Sequence, residues 1–200
     1  MQKDFIERQK EHFKEHIAEF TDYGNIKLLD FKKPNSSHYR IRFLFEEDYC
    51  RLHISGDLGE LIATNYNNMT YEGFSDFVNN TGYFKEKIDT HSRAIYYYDY
   101  DLAKKELEER LADYEFIPEY DFETPEELKE EKIDAILEDF SDRDGIGSKG
   151  YDVLSEIDGD CFEYVSYIGR EETGILELYM LAFKLAKKQL KDKEGNLGEL

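Results

Sequence analysis

The chain has 200 residues, a hydrophobic fraction of 40% and 30 phenylalanines and tyrosines in total, a composition typical of a globular protein and not of a disordered chain. No apolar run approaches the roughly 18 residues that a membrane span needs, and the first ten residues are charged, unlike a signal peptide. We therefore expect a cytoplasmic protein with no membrane partner. The formal net charge of −20 repels the phosphates of DNA and RNA, so we expect no direct nucleic-acid binding.

The negative charge is spread unevenly along the chain. Residues 1–98 carry a net −3, residues 99–142 carry −13, and residues 143–200 carry −4. A basic protein surface would be attracted to the middle stretch. The alternative is a solvated helical face that is acidic for solubility alone.

The N-terminal half is organised around a predicted β-meander. A helix is expected over residues 3–20 and a first strand over Asn25 to Phe31. Alternating residues then place the following side chains on one apolar face: Tyr39, Ile41, Phe43, Phe45, Cys50, Leu52 and Ile54. Matching apolar residues across the turn predicts Phe45 opposite Cys50, Phe43 opposite Leu52 and Ile41 opposite Ile54. A turn with Gly56 and Gly59 leads into a third strand at Leu61 to Ala63.

Short helical pieces and tyrosines follow the meander. Residues 74–88 are predicted to form two short helices separated near Gly82. The four tyrosines of residues 96–100 are interpreted as core and packing residues.

The C-terminal half is predicted to be mainly helical. Asp101 is expected to cap a helix that runs to Tyr114. Thr124 and Glu127 form a capping box, with Pro125 in the first helical position. A glycine-rich loop at 142–150, two short helices and a final packing helix at 174–191 complete the prediction.

These elements indicate an α+β fold, with a small antiparallel β-meander and flanking helices. The meander region is assigned to residues 1–95 and an acidic helical part to residues 96–200, with both able to pack as one domain.

Two candidate surfaces emerge from the residue pattern. The first is an acidic binding surface on the outer faces of the two middle helices, made of Glu108, Glu109, Glu126, Glu127, Glu130, Glu131 and Glu138. The second is a possible pocket on the polar side of the meander, made of Arg40, Arg42, Arg51, His53 and Asp57. Alternatively, the three arginines and His53 face solvent or the acidic helices of the same chain. The alternative for Asp57, in its tight turn, is a hydrogen bond to the backbone.

Two motifs have the spacing of known ligand sites. His12 to His16 fits H-x-x-E-H, in which two histidines one helical turn apart bind zinc. Gly145 to Gly150 fits G-x-G-x-x-G, which binds a pyrophosphate only between a strand and a helix. Both contexts argue against the ligand, so we expect no metal and no cofactor. Cys50 and Cys161 are expected to be buried reduced thiols.

Three segments carry a resemblance: Ile54 to Gly59, Asn80 to Lys87, and Phe162 to Gly169 with the apolar helix that follows. There the sequence resembles a family of uncharacterised proteins encoded in phages and mobile elements of low-GC Gram-positive bacteria. The resemblance implies a cytoplasmic protein of a bacterial host cell. It also implies a host-directed role, as in inhibitors of CRISPR nucleases that occupy nucleic-acid-binding grooves.

The sequence therefore favours a non-enzymatic inhibitor that binds a basic, nucleic-acid-handling host defence protein by mimicking nucleic acid. One alternative is a metal- or nucleotide-dependent enzyme with its site near Asp57 or the pair His12 and His16. Another is a structural or assembly protein of the mobile element.

Overall fold

The computed structural model describes residues 2–118 and 124–197. They form two compact units, one from Met1–Ile95 and Gly174–Leu200 and the other from Tyr96–Thr173. The C-terminal helix, which the sequence analysis grouped with residues 96–200, therefore belongs to the sheet-containing unit. No helix in the described ranges is long and apolar enough to cross a membrane.

The first unit is built on a six-stranded antiparallel sheet whose strands are neighbours in chain order. Its strands are β1 (Ile17–Asp22), β2 (Ile26–Lys32), β3 (Ile41–Glu46), β4 (Arg51–Gly56), β5 (Leu61–Thr64) and β6 (Ile88–His91). Its helices are α1 (Gln2–His12), α2 (Thr81–Lys85) and α6 (Ile175–Leu197). This arrangement confirms the predicted α+β fold.

One face of the sheet forms the core of this unit. The predicted alternation is confirmed, because Ile41, Phe43 and Phe45 on β3 are at most 1% exposed. Phe183 of α6 packs edge-to-face on Phe43, with ring centroids 5.4 Å apart. Such apolar burial is the main favourable contribution to folding.

The predicted register of β3 and β4 is wrong by two residues. Phe45 lies opposite Leu52, Phe43 opposite Ile54, and Ile41 opposite Gly56. The cause is the connection, in which Glu47–Tyr49 form a 3-10 turn and Cys50 takes a left-handed conformation (φ 50°). Cys50 therefore ends the turn and pairs with no strand residue. A shift of two residues keeps each side chain on its predicted face.

The N-terminal prediction is correct only at its start. Helix α1 ends at His12, and residues 17–22 form strand β1, where a helix to residue 20 was expected. Phe13 and Ala18 are buried, whereas Ile17 is 41% exposed, so the spacing of the apolar residues alone does not identify the buried side. Pairing with β2 along six residues decides the outcome. Similarly, Ile88 begins strand β6 instead of ending a helix.

The second unit contains α3 (Tyr100–Arg110), α4 (Pro125–Ile136) and α5 (Ser148–Ile157), with a two-stranded ribbon of β7 (Tyr96–Tyr98) and β8 (Arg170–Glu172). Its core combines helical residues with the segment after α5: Ala103, Leu107, Leu111, Ile133, Ile136, Leu137, Leu154, Cys161 and Ile168. Asp99, and not the predicted Asp101, caps α3 by accepting a hydrogen bond from the backbone N–H of Leu102 at 2.8 Å. Both cysteines are free, Cys161 buried and Cys50 half-buried.

Candidate protein-binding surface

The two compact units differ sharply in charge. Residues 96–173 contain 26 acidic and eight basic residues, a net charge of −18, whereas the rest of the chain contains 20 acidic and 18 basic residues, a net charge of −2. The fold thus places nearly the whole excess of −20 in one unit of 78 residues. The count along the sequence placed −13 in residues 99–142, whereas the unit of residues 96–173 contains −18 of the total −20.

All seven glutamates of the predicted acidic surface are exposed. Two lie on α3, four lie on α4, and Glu138 follows the end of α4. The buried residues of the same helices, including Leu107 and Ile133, face the core of the unit. The carboxylates are therefore on the solvent side of both helices, as the periodicity predicted.

Lysines on α3 and α4 link the two helices. Lys104 Nζ lies 3.2 Å from Asp134 Oδ1 and 3.9 Å from Glu130 Oε1, and the hydrogen bond that it donates to Asp134 raises the pKa of Lys104. Lys129 Nζ donates to the backbone oxygen of Glu108 at 2.8 Å. These two lysines are occupied by contacts between the helices.

Glu127 has a structural task that sets it apart from the other glutamates. Its carboxylate accepts from the backbone N–H of Thr124 at 2.9 Å, and its own N–H donates to Thr124 Oγ1 at 3.2 Å. The capping box predicted from sequence is thereby confirmed. The hydrogen bonds from the Thr124 backbone and hydroxyl lower the pKa of Glu127. Glu127 holds the start of α4, and the remaining six glutamates take no part in this cap.

Ion pairing leaves much of this charge unneutralised. Glu109 pairs with Lys105 at 3.7 Å and Glu138 with Lys149 at 3.9 Å, with all four side chains more than two-thirds exposed. Exposed ion pairs of this kind contribute little to stability. A basic binding partner could therefore replace the lysine in either pair. Glu108, Glu126 and Glu131 have no ion pair to any residue in the described ranges.

The predicted basic pocket separates into two groups on the solvent side of the sheet, and each group is paired with a carboxylate. In the first group, Arg40 and Arg42 both bond Asp30, with Nη2 to Oδ2 distances of 3.2 and 3.0 Å. Asp30 is only 5% exposed. Burial alone would raise the pKa of Asp30, but the hydrogen bonds from Arg42 and Arg40 lower it below its usual value.

The second group centres on Glu46. His53 Nε2 lies 2.9 Å from Glu46 Oε2, and Arg51 Nη1 lies 3.9 Å from the same oxygen. The basic side chains of both groups thus already contact carboxylates of their own sheet. These contacts favour a structural role over recognition of an acidic ligand.

Asp57 and the two histidines of the H-x-x-E-H motif converge on Tyr39. Asp57 Oδ2 accepts from the backbone N–H of Tyr39 at 2.9 Å, and His16 Nε2 donates to the Tyr39 carbonyl at 3.1 Å. The His12 ring stacks on the Tyr39 ring at 4.4 Å. Tyr39 has a positive φ of 55°, and these contacts hold it in that unusual conformation.

The zinc spacing is consequently not realised. Helix α1 ends at His12, so the two histidines are not one helical turn apart. In the described residues, no group of three or more His, Cys, Asp or Glu side chains has the geometry to hold a metal ion.

The glycine-rich loop does carry an anion at a helix start, but the anion is a side chain of the protein. Asp139 accepts from the backbone N–H of Lys149 at 2.9 Å and of Gly150 at 3.1 Å, in the first turn of α5. A Cβ on Gly147 would lie 2.2 Å from Asp139 Oδ2. The position that a phosphate would take at this helix is therefore filled by Asp139.

Sequence reasoning missed the acidic partners Asp30, Glu46 and Asp139. One signal for Asp30 is visible in retrospect, since it is an acidic residue inside an apolar strand, and the residue opposite it is Arg42. Comparison with known proteins adds no further assignment, because no family model, no curated protein and no solved structure matches the chain. The resemblance to phage and mobile-element proteins stays a prediction.

Proposed function

We propose that the unit formed by residues 96–173 is a non-enzymatic binding module for the basic, nucleic-acid-binding surface of another protein. The observation that carries the proposal is the net charge of −18 in this unit, with Glu108, Glu126 and Glu131 exposed and unpaired to any described residue. A basic cleft is the surface that such a field attracts most strongly.

The spacing of the charges supports this choice of partner. Glu126 and Glu130 are four residues apart on α4 and therefore about 6 Å apart along the helix axis. Glu108 and Glu109 on α3 extend the same outward-facing acidity. A groove that neutralises closely spaced phosphates with Lys and Arg can accept carboxylates at comparable intervals.

Inhibition follows from occupancy, because a groove filled by this unit excludes DNA or RNA. The more specific role, inhibition of a host defence protein such as a CRISPR nuclease, is part of the proposal and depends on the resemblance alone.

The test is capture of partners from a bacterial lysate by the immobilised full-length protein. We expect a nucleic-acid-binding protein to be retained at low salt and released as salt is raised. Added double-stranded DNA should also displace it, because the DNA and the immobilised protein compete for one basic surface. Purified protein alone should not shift the same DNA in a gel. A captured partner that keeps its DNA affinity in the complex would contradict the proposal.

A further inference from the structure

A cavity of about 430 Å³ lies in the sheet-containing unit, beside one face of α6. That face places Glu177, Met180, Leu181 and Lys184 along the cavity, and Ile6 and Val78 add apolar lining from α1 and from the segment before α2. Positions i, i+3, i+4 and i+7 share a helix face, so α6 presents an acidic end, an apolar middle and a basic end to one space. This volume falls in the range of small-molecule sites.

Glu177 is the unusual residue of this cavity. Glu177 is 8% exposed, and its Oε1 is buried with no hydrogen-bond partner among the described residues. A first-turn position favours a carboxylate through the helix dipole, yet it leaves this oxygen unsatisfied. A buried polar atom without a partner is costly to the fold, so a donor that reaches the Glu177 carboxylate from the cavity would be stabilising.

Lys184 supplies the opposite charge two helical turns away. Its Nζ donates to the neutral Asn79 Oδ1 at 2.6 Å, and it has no ion pair to any residue in the described part of the chain. The Cα atoms of Glu177 and Lys184 are separated by about 10 Å along the axis. The second lysine of the lining, Lys10, is already paired with Glu7.

We infer that this cavity binds a small zwitterionic molecule with an amine at one end, a carboxylate at the other and an apolar chain between them. The ammonium group donates to the Glu177 carboxylate, the carboxylate of the ligand accepts from Lys184, and the chain packs on Met180 and Leu181. Two charge-assisted hydrogen bonds at a fixed separation give selectivity for molecules that carry both charges.

The experiment is titration calorimetry on the full-length protein with 6-aminohexanoate, with hexylamine and hexanoate as single-charge probes. We expect 6-aminohexanoate to bind about tenfold or more tightly than either probe. Glu177→Gln should weaken that binding about tenfold or more, whereas the matched change Glu86→Gln, at an exposed carboxylate of the same unit, should leave it unchanged.

Lys184→Met tests the other end at an exposed position and keeps the proposal testable if the Glu177 variant fails to fold. It should bind 6-aminohexanoate no more tightly than hexylamine. Absence of 6-aminohexanoate binding to the parent protein, or equal binding by parent and Lys184→Met, would overturn the inference.

Discussion

At the scale of single residues, Gly56 shows how a backbone position restricts the sequence. It has φ +141°, and a Cβ built there would lie 2.1 Å from the carbonyl oxygen of Arg40. The same region is held by the hydrogen bond from the N–H of Asp57 to that oxygen at 2.9 Å. Glycine is required here because other residues rarely adopt this dihedral angle and because a side chain would clash with the Arg40 carbonyl.

Gly56→Val should therefore lower the free energy of unfolding by roughly 1–3 kcal/mol, because strain and a steric clash add. Urea denaturation measures the change. The control is Gly82→Ala in α2, where φ is not positive and the nearest atom is 3.8 Å from the added Cβ. That variant should be neutral or slightly stabilising. Equal stability of Gly56→Val and the parent would show that this turn is not as described.

His16 gives the protein a pH-dependent stability. Its ring is 2% exposed and packs between Phe13 and Phe31. Burial lowers the pKa of His16 below the usual 6.5, although its bond to the Tyr39 carbonyl opposes the shift, and the nearby charges of Lys33 and His38 lower it further. The folded state thus binds a proton less readily than the unfolded state.

The direction of the pH dependence follows from this difference in proton affinity between the folded and unfolded states. The contribution of neutral His16 to stability is fully present above about pH 6.5 and is lost as the pH falls below that value toward the lowered folded pKa. We expect the urea midpoint of the parent to fall between pH 7.5 and pH 5.5 by more than that of His16→Gln. Parallel pH profiles for the two proteins would contradict the assignment.

At the scale of elements, Asp139 joins the end of α4 to the start of α5. Burial alone would raise its pKa, but the backbone N–H groups of Lys149 and Gly150 lower it. Gly150 itself must lack a side chain, because a Cβ there would lie 2.0 Å from the carbonyl oxygen of Ile136. The two helices are thus fixed by close contact and by a cap supplied from outside α5.

Asp139→Ala should cost about 1 kcal/mol of stability, the usual value of a lost N-terminal cap. Its neighbour Glu138, exposed and 3.9 Å from Lys149, provides the control, and Glu138→Ala should change stability by less than about 0.5 kcal/mol. Chemical denaturation of both variants measures the difference. A larger loss in the Glu138 variant would be inconsistent with capping by Asp139.

Sequence signals predicted a structural element correctly where the residues that interact with each other are close together in the chain. The capping box of Thr124 and Glu127 needs only four residues, and it is present as predicted. The register of β3 and β4 depends instead on Cys50 adopting a left-handed conformation, for which its residue type gives no signal. Strand β1 depends on pairing with β2, and tertiary pairing overrides a helical period.

The candidate site shows the same division between local and distant information. Exposure of the acidic glutamates follows from helical periodicity, so it could be predicted. The pairing of Arg40 and Arg42 with Asp30 requires β2 beside β3 in the observed register, and the filling of the glycine-rich loop by Asp139 requires the packing of α4 and α5. Sequence reasoning therefore found the charges but not their partners.

At the scale of the whole molecule, charge segregation is the feature with the clearest functional meaning. The sheet-containing unit is nearly neutral, with a net charge of −2, whereas residues 96–173 hold a net −18. An acidic surface kept only for solubility need not be concentrated in this way. The central claim is that the exposed faces of α3 and α4 bind a basic partner.

Two charge-matched variants test this claim most directly. One carries Lys at Glu108, Glu126 and Glu131, and the other carries Lys at the exposed Asp152, Glu156 and Glu163 on α5 and after it. Each has three reversals and so changes the formal net charge from −20 to −14. Glu127 is left intact because it caps α4.

The measurement is the amount of DNA-displaceable, nucleic-acid-binding protein that each variant captures from lysate, with circular dichroism to check folding. We expect the α3 and α4 variant to capture about tenfold less of this protein than the parent, or even less, and the α5 variant to capture nearly as much as the parent. Equal capture by both variants would contradict the claim that α3 and α4 form the binding surface.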